Sequence, residues 1–107
     1  MPREKFQALT EQMFYILLCL KEECCGMDIM TKVEHMTGGR VRVGPGTLYN
    51  LLEQFAEADF ILQTKVEGRR RSYILTNRGR SVLADEYRRI CRQAEDYRRF
   101  IGEEENL

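Results

Sequence analysis

The chain has 107 residues, 43% hydrophobic and 32% charged, and its 17 basic and 17 acidic side chains cancel. That length suits one domain with a modest core, and the composition is that of an ordinary globular protein. No apolar run approaches the ~20 residues that span a bilayer, and no long apolar stretch follows Met-Pro-Arg-Glu-Lys-Phe, so neither a membrane span nor a signal peptide is expected and a cytoplasmic location is.

Thr10 has the side chain of an N-cap. Glu11 to Leu20 reads as a helix with Phe14, Leu17 and Leu18 on a broad apolar face. Glu22-Glu23-Cys24-Cys25-Gly26 breaks it and reads as a loop. Gly26 and Asp28 are turn and cap residues for a second helix, whose apolar positions are Ile29, Met30, Val33 and Met36. Thr37-Gly38-Gly39 ends it.

Arg40-Val41-Arg42-Val43 alternates basic and apolar, as a short strand or extended linker does. Gly44-Pro45-Gly46 follows, and proline suits a first helical turn because its missing N–H is an orphan there anyway. A third helix is expected from about Pro45 or Thr47 to Ala58. Leu48, Leu51, Leu52 and Phe55 form its buried stripe, and Thr47, Asn50 and Gln54 the opposite side.

Phe60 to Val66 reads as a strand, Glu67-Gly68-Arg69-Arg70 as a turn, and Arg71 to Leu75 as the return strand of a hairpin. Thr76 caps a long last helix reaching Phe100 or Ile101. Along it Leu83, Tyr87, Ile90, Ala94, Tyr97 and Ile101 recur at gaps of four and three, a heptad seam. Nothing later in the sequence covers that seam, so a partner helix is expected on it; the alternative is packing on the chain's own first helix. Residues 1–76 are thus read as a winged helix-turn-helix, and residues 77–107 as a dimerisation helix with the acidic tail Glu103-Glu104-Glu105. The fold class is mainly α (α+β), in the order α-α-α-β-β-α.

Zero net charge, taken alone, argues against a nucleic-acid binder. Its distribution argues otherwise. Arg40, Arg42, Lys65, Arg69, Arg70 and Arg71 crowd the region of the third helix and hairpin, and a local patch can steer DNA when the total cancels. In a winged helix-turn-helix the recognition helix meets base edges while phosphate contacts fix register. The third helix carries no Lys or Arg between residues 45 and 58. Its readers would be Thr47, Tyr49, Asn50 and Gln54; amides pair with adenine, and a threonine methyl suits that of thymine.

The four cysteines, Cys19, Cys24, Cys25 and Cys91, fit neither a zinc ribbon nor a Cys-x-x-Cys motif. No metal site, cofactor or catalytic set is expected, and the single histidine, His35, reads as a surface or capping residue. Paired acids such as Glu22-Glu23 and Asp85-Glu86 read as solvated faces.

Four stretches together resemble the PadR family of bacterial transcriptional regulators. Leu9 to Leu18 resembles the opening helix, Val41 to Tyr49 the approach to the recognition helix, and Gly68 to Thr76 with Gly79 the wing. The last helix is similar to the single dimerisation helix of the shorter subfamily. The resemblance implies a homodimeric repressor on a palindromic double-stranded DNA operator, and no enzyme. Relatives often open the second helix with Gly-Tyr; this chain has Gly26-Met27. Some drug-responsive members stack flat ligands on a tryptophan, and this chain has none. A small hydrophobic or aromatic effector entering at the dimer interface would meet Phe14, Tyr15, Leu18, Tyr87, Ile90, Cys91 and Tyr97. Two alternatives stand beside this reading. One is a protein-interaction adaptor that keeps the fold without binding DNA. The other is a thiol-based redox sensor acting through Cys91, which lies among Arg88, Arg89 and Arg92.

Overall fold

A computed structural model describes residues 8–102; the opening Met-Pro-Arg-Glu-Lys-Phe and the acidic tail Glu103-Glu104-Glu105 lie outside the described residues. Helix α1 spans Glu11–Cys19, strand β1 Cys24–Cys25, α2 Gly26–Met36 and α3 Pro45–Glu57. The hairpin is β2, Ile61–Glu67, and β3, Arg70–Leu75. Helix α4 runs Asn77–Tyr97 and continues as a π-helical turn, Arg98–Gly102. This is a winged helix-turn-helix with a long C-terminal helix.

The caps explain where the helices begin. Thr10 Oγ1 accepts from Met13 N at 3.2 Å, and Thr76 Oγ1 from Gly79 N at 3.0 Å, each satisfying an orphan first-turn amide. Asp28 is not the cap of α2: Cys25 holds that position and makes no side-chain cap bond, and Asp28 lies in the first turn. There its carboxylate complements the helix dipole.

Cys24 and Cys25 are not a plain loop. They pair antiparallel with Tyr73 and Ser72, so the sheet has three strands in the order β1-β3-β2. The physical reason is edge pairing: β3 would otherwise present unpaired amides, and the return from α1 lies beside it. In the hairpin Ile61 faces Leu75 and Glu67 faces Arg70, with a bulge between Gln63 and Lys65. Gly68, at φ 63°, supplies the left-handed residue that the tight turn needs.

One core joins the helices to the sheet. Ile16, Leu17 and Leu20 of the first helical segment meet Ile29, Val33, Leu48, Leu52, Phe55 and Phe60, all fully or nearly fully buried. Helix α4 reaches the core by Val82 and, in part, Leu83. Its entry angle depends on Gly79, where a β-carbon would lie 2.0 Å from the carbonyl oxygen of Phe60.

The Asp85-Glu86 pair is not a solvated face at Glu86, which is only 1% exposed. Its Oε2 accepts from the Leu9 amide at 3.1 Å, and Oε1 accepts from Arg89 Nε at 3.1 Å. A buried carboxylate is tolerated because donors replace its lost water. The bond to Leu9 ties the segment before α1 to α4.

Candidate nucleic-acid interface

Helix α3 buries Leu48, Leu51, Leu52 and Phe55 and leaves Thr47, Tyr49 and Asn50 exposed on its first turns, while Gln54 is half-buried. The N-cap Gly44 and Pro45 open the helix without a side-chain cap bond, so its first amides point outward. Such an end accepts a phosphate. The loop feeding it is extended rather than a strand, with Val41 and Val43 buried and Arg40 and Arg42 exposed. Thr37 Oγ1 anchors this loop by accepting from Val41 N at 3.1 Å, and Gln12 Nε2 donates to Arg42 O at 2.8 Å.

The two loop arginines differ from the wing. Arg40 Nη1 pairs with Glu11 Oε2 at 2.7 Å, and its Nη2 donates to the Tyr15 hydroxyl at 3.2 Å. The hydrogen bond that it donates to Glu11 holds the guanidinium above its ordinary pKa. Arg42 lies 3.5 Å from Glu34. On the wing, Arg70 Nη2 donates to Cys25 Sγ at 3.3 Å and stands 4.0 Å from Asp28. Among the described residues no carboxylate reaches Arg69 or Arg71 within 4 Å. Lys65, beside the bulge, is exposed.

Tyr49, Leu52, Glu53 and Ala56 of α3 face Gln63, Gly68, Arg69, Arg71 and Tyr73 of the hairpin across an open cleft of about 630 Å³. Tyr73 is a buried core residue, whereas Tyr49 is 46% exposed. The sequence reading missed Glu53 and Gln63. Alternation along β3 puts Tyr73 on the face of Arg71.

The transcriptional regulator PadR-like family model matches residues 16–85. The chain belongs to the PadR-like family. PadR-like regulators bind DNA and are not enzymes, so this chain is a DNA-binding transcriptional regulator. It is similar to RosR from H. salinarum, 25% identical over 81% of this chain and 78% of that one, TM-score 0.69. It is also similar to Pex from Synechococcus sp., 25% identical over 78% and 84%, TM-score 0.55. A transcriptional regulator from Clostridium thermocellum, Cth-833, shares the fold at 16% identity over 85% and 92%, TM-score 0.72. Among curated proteins the sequence has no match.

In this PadR-like chain the heptad seam of α4 faces outward beyond the core. Leu83 is partly buried, but Tyr87 is 60%, Ile90 40% and Tyr97 47% exposed, with Phe100 at 74% beside them. Ala94 is exposed and Ile101 half-buried. Cys91 is exposed, and its hydrogen bond with Tyr87 holds that phenol above its ordinary pKa. Phe14 and Tyr15 pack edge-on at 5.4 Å against the core. Leu18 lines a hollow of about 350 Å³ with Cys19, Lys21, Glu22, Lys32 and Met36, residues of α1, α2 and the loop between them rather than of α4. His35 is exposed. No helix among the described residues is long and apolar enough to cross a membrane, and no group of three metal-ligating side chains occurs among them.

Proposed function

We propose that this PadR-like protein is a homodimeric repressor of the cytoplasm that reads a palindromic operator and is released by a small-molecule effector. The observation that carries the reading is the meeting, across one cleft, of exposed Tyr49 with Arg69 and Arg71, which have no carboxylate within 4 Å among the described residues. Thr47 and Asn50 read base edges, with Gln54 at the margin. Arg69 and Arg71 take phosphates, and Lys65 and Arg42 add charge at the sides. Arg40 and Arg70 act mainly through the protein contacts that hold them. Leu83, Tyr87, Ile90, Ala94, Tyr97 and Ile101 pair two copies of α4.

The test is binding to DNA upstream of the chain's own coding region, compared with random duplex at fixed salt. Specific affinity is expected roughly 10³-fold or more above non-specific, and Asn50→Ala relaxes preference at one position per half-site. Equal affinity for all duplexes would sink the reading.

The exposure of Cys91 and its bond to Tyr87 favour a second reading, release by oxidation of this thiol at the dimer seam. Peroxide-induced release that persists in Cys91→Ser would dismiss it.

A further inference from the structure

The α3–wing cleft has the size of a small-molecule site as well as the position of a DNA contact. At about 630 Å³ it falls within the ~300–1,000 Å³ typical of ligand pockets. Its floor is apolar and fixed, since Leu52 and Tyr73 belong to the buried core. One wall is the Tyr49 ring, which rests on Gly26: a β-carbon there would lie 2.9 Å from Tyr49 Cε1. The lip carries Arg69 and Arg71.

Those two guanidiniums, like those of Arg78, Arg80 and Arg92, have no carboxylate within 4 Å among the described residues, and both stand on the lip of this cleft. Seven other arginines, Arg40, Arg42, Arg70, Arg88, Arg89, Arg98 and Arg99, each have a carboxylate within 4 Å. Arg71 and Tyr73 lie on the same face of β3, so the positive charge stands over an aromatic and aliphatic floor. Two guanidinium forks match a dianionic phosphate better than a single carboxylate, because its three terminal oxygens accept from both. A tyrosine face takes a planar base. The amide of Gln63, with one acceptor and two donors, suits the edge of that base.

We propose that the cleft between α3 and the wing binds a free mononucleotide, its base against Tyr49 and its phosphate between Arg69 and Arg71. The nucleotide uses groups assigned above to DNA, so ligand and DNA exclude each other. That consequence rests on the DNA-contact reading; nucleotide binding itself does not. Release by direct occlusion needs no change in the spacing of the two subunits.

The experiment is calorimetric titration of the full chain at ~0.15 M salt, where long-range charge is screened, with 5′-AMP, GMP, CMP and UMP. Adenosine, guanosine, cytidine and uridine, inorganic phosphate and benzoate are run in parallel. At least one nucleotide is expected to bind, its nucleoside and phosphate alone being roughly tenfold weaker or worse. Arg69→Ala and Arg71→Ala each weaken it about tenfold at unchanged melting temperature, and Arg92→Ala on α4 does not. Absence of binding by all four nucleotides overturns the proposal. So does a nucleoside or benzoate binding as tightly, or an equal loss in Arg92→Ala, which would mean unspecific charge. Displacement of labelled operator DNA by the nucleotide is read separately. If the chain fails to bind DNA yet binds the nucleotide, the DNA reading fails and the cleft assignment stands. If DNA binds and the nucleotide does not, the reverse holds.

Discussion

The ring of Tyr49 rests on Gly26: α2 begins at a residue without a side chain, and a β-carbon there would come 2.9 Å from Tyr49 Cε1. The recognition helix and the helix before it are therefore spaced by one aromatic ring. Tyr49 is half exposed, so the ring has somewhere to go. Gly26→Ala is expected to cost at most about 1 kcal/mol while moving Tyr49 and weakening DNA binding. Gly79→Ala is the contrasting case, because its β-carbon would meet the Phe60 carbonyl oxygen at 2.0 Å, and backbone does not step aside. Roughly 3 kcal/mol is expected there. Thermal melts of the two variants decide it, and a Gly79→Ala protein that melts with the wild type would refute the packing of α4 on the strand.

The wing arginines are expected to be unequal. Among the described residues Arg69 and Arg71 have no carboxylate within 4 Å, whereas Arg70 is engaged by Cys25 Sγ at 3.3 Å and by Asp28. That hydrogen bond is the main reason its pKa is raised. Arg69→Ala or Arg71→Ala should flatten the slope of log affinity against log salt by about 0.9, one phosphate each. Arg70→Ala should change it less. Equal slopes for all three would mean that the pairing of Arg70 is lost on DNA.

Local chemistry made much of this fold legible. Thr10 and Thr76 cap as their side chains suggest, and the stripe Leu48, Leu51, Leu52, Phe55 is the buried face of α3. Gly68 turns the hairpin, although both ends of the first strand and the start of the second shift by a residue. Four features were not legible, and each depends on a partner far along the chain. Cys24-Cys25 becomes a strand only because Ser72 and Tyr73 offer an edge. Glu86 is buried only because Leu9 N and Arg89 meet it. Arg40 is drawn to Glu11 and Tyr15. The cleft exists only once α3 and the wing face each other.

Alkaline pH should destabilise the fold through Cys19. Burial raises its thiol from 9.0 to about 11, aided by nearby Cys24 and opposed by Lys32. A raised value means that the folded state holds the proton more tightly than the unfolded chain. The contribution is therefore complete below pH 9 and is lost as pH rises through about 11. Cys19→Ala should be less stable at neutral pH but show a shallower decline between pH 9 and 11. Denaturant midpoints of both proteins across that window check this. Parallel declines would mean that other groups, such as lysines and tyrosines, carry the alkaline loss.

The seam of α4 leads to the last prediction. Tyr87, Ile90, Tyr97 and Phe100 expose apolar surface along the helix beyond the last core contacts of Val82 and Leu83. Apolar side chains at a four-three repeat lose this exposure when a second helix packs against them. Two copies joined there would set their recognition helices to half-sites about 34–36 Å apart. Ile90→Glu puts a carboxylate in the middle of the seam, where pairing would strand it without water. Because Ile90 is 40% exposed in the single chain, the substitution should leave each subunit folded. The wild type is expected to sediment as a dimer at micromolar concentration and the variant as a monomer with an unchanged circular-dichroism spectrum. Operator affinity should then drop to that of one half-site. A monomeric wild type would remove the basis for a palindromic operator, and a variant that stays dimeric would move the interface off this seam.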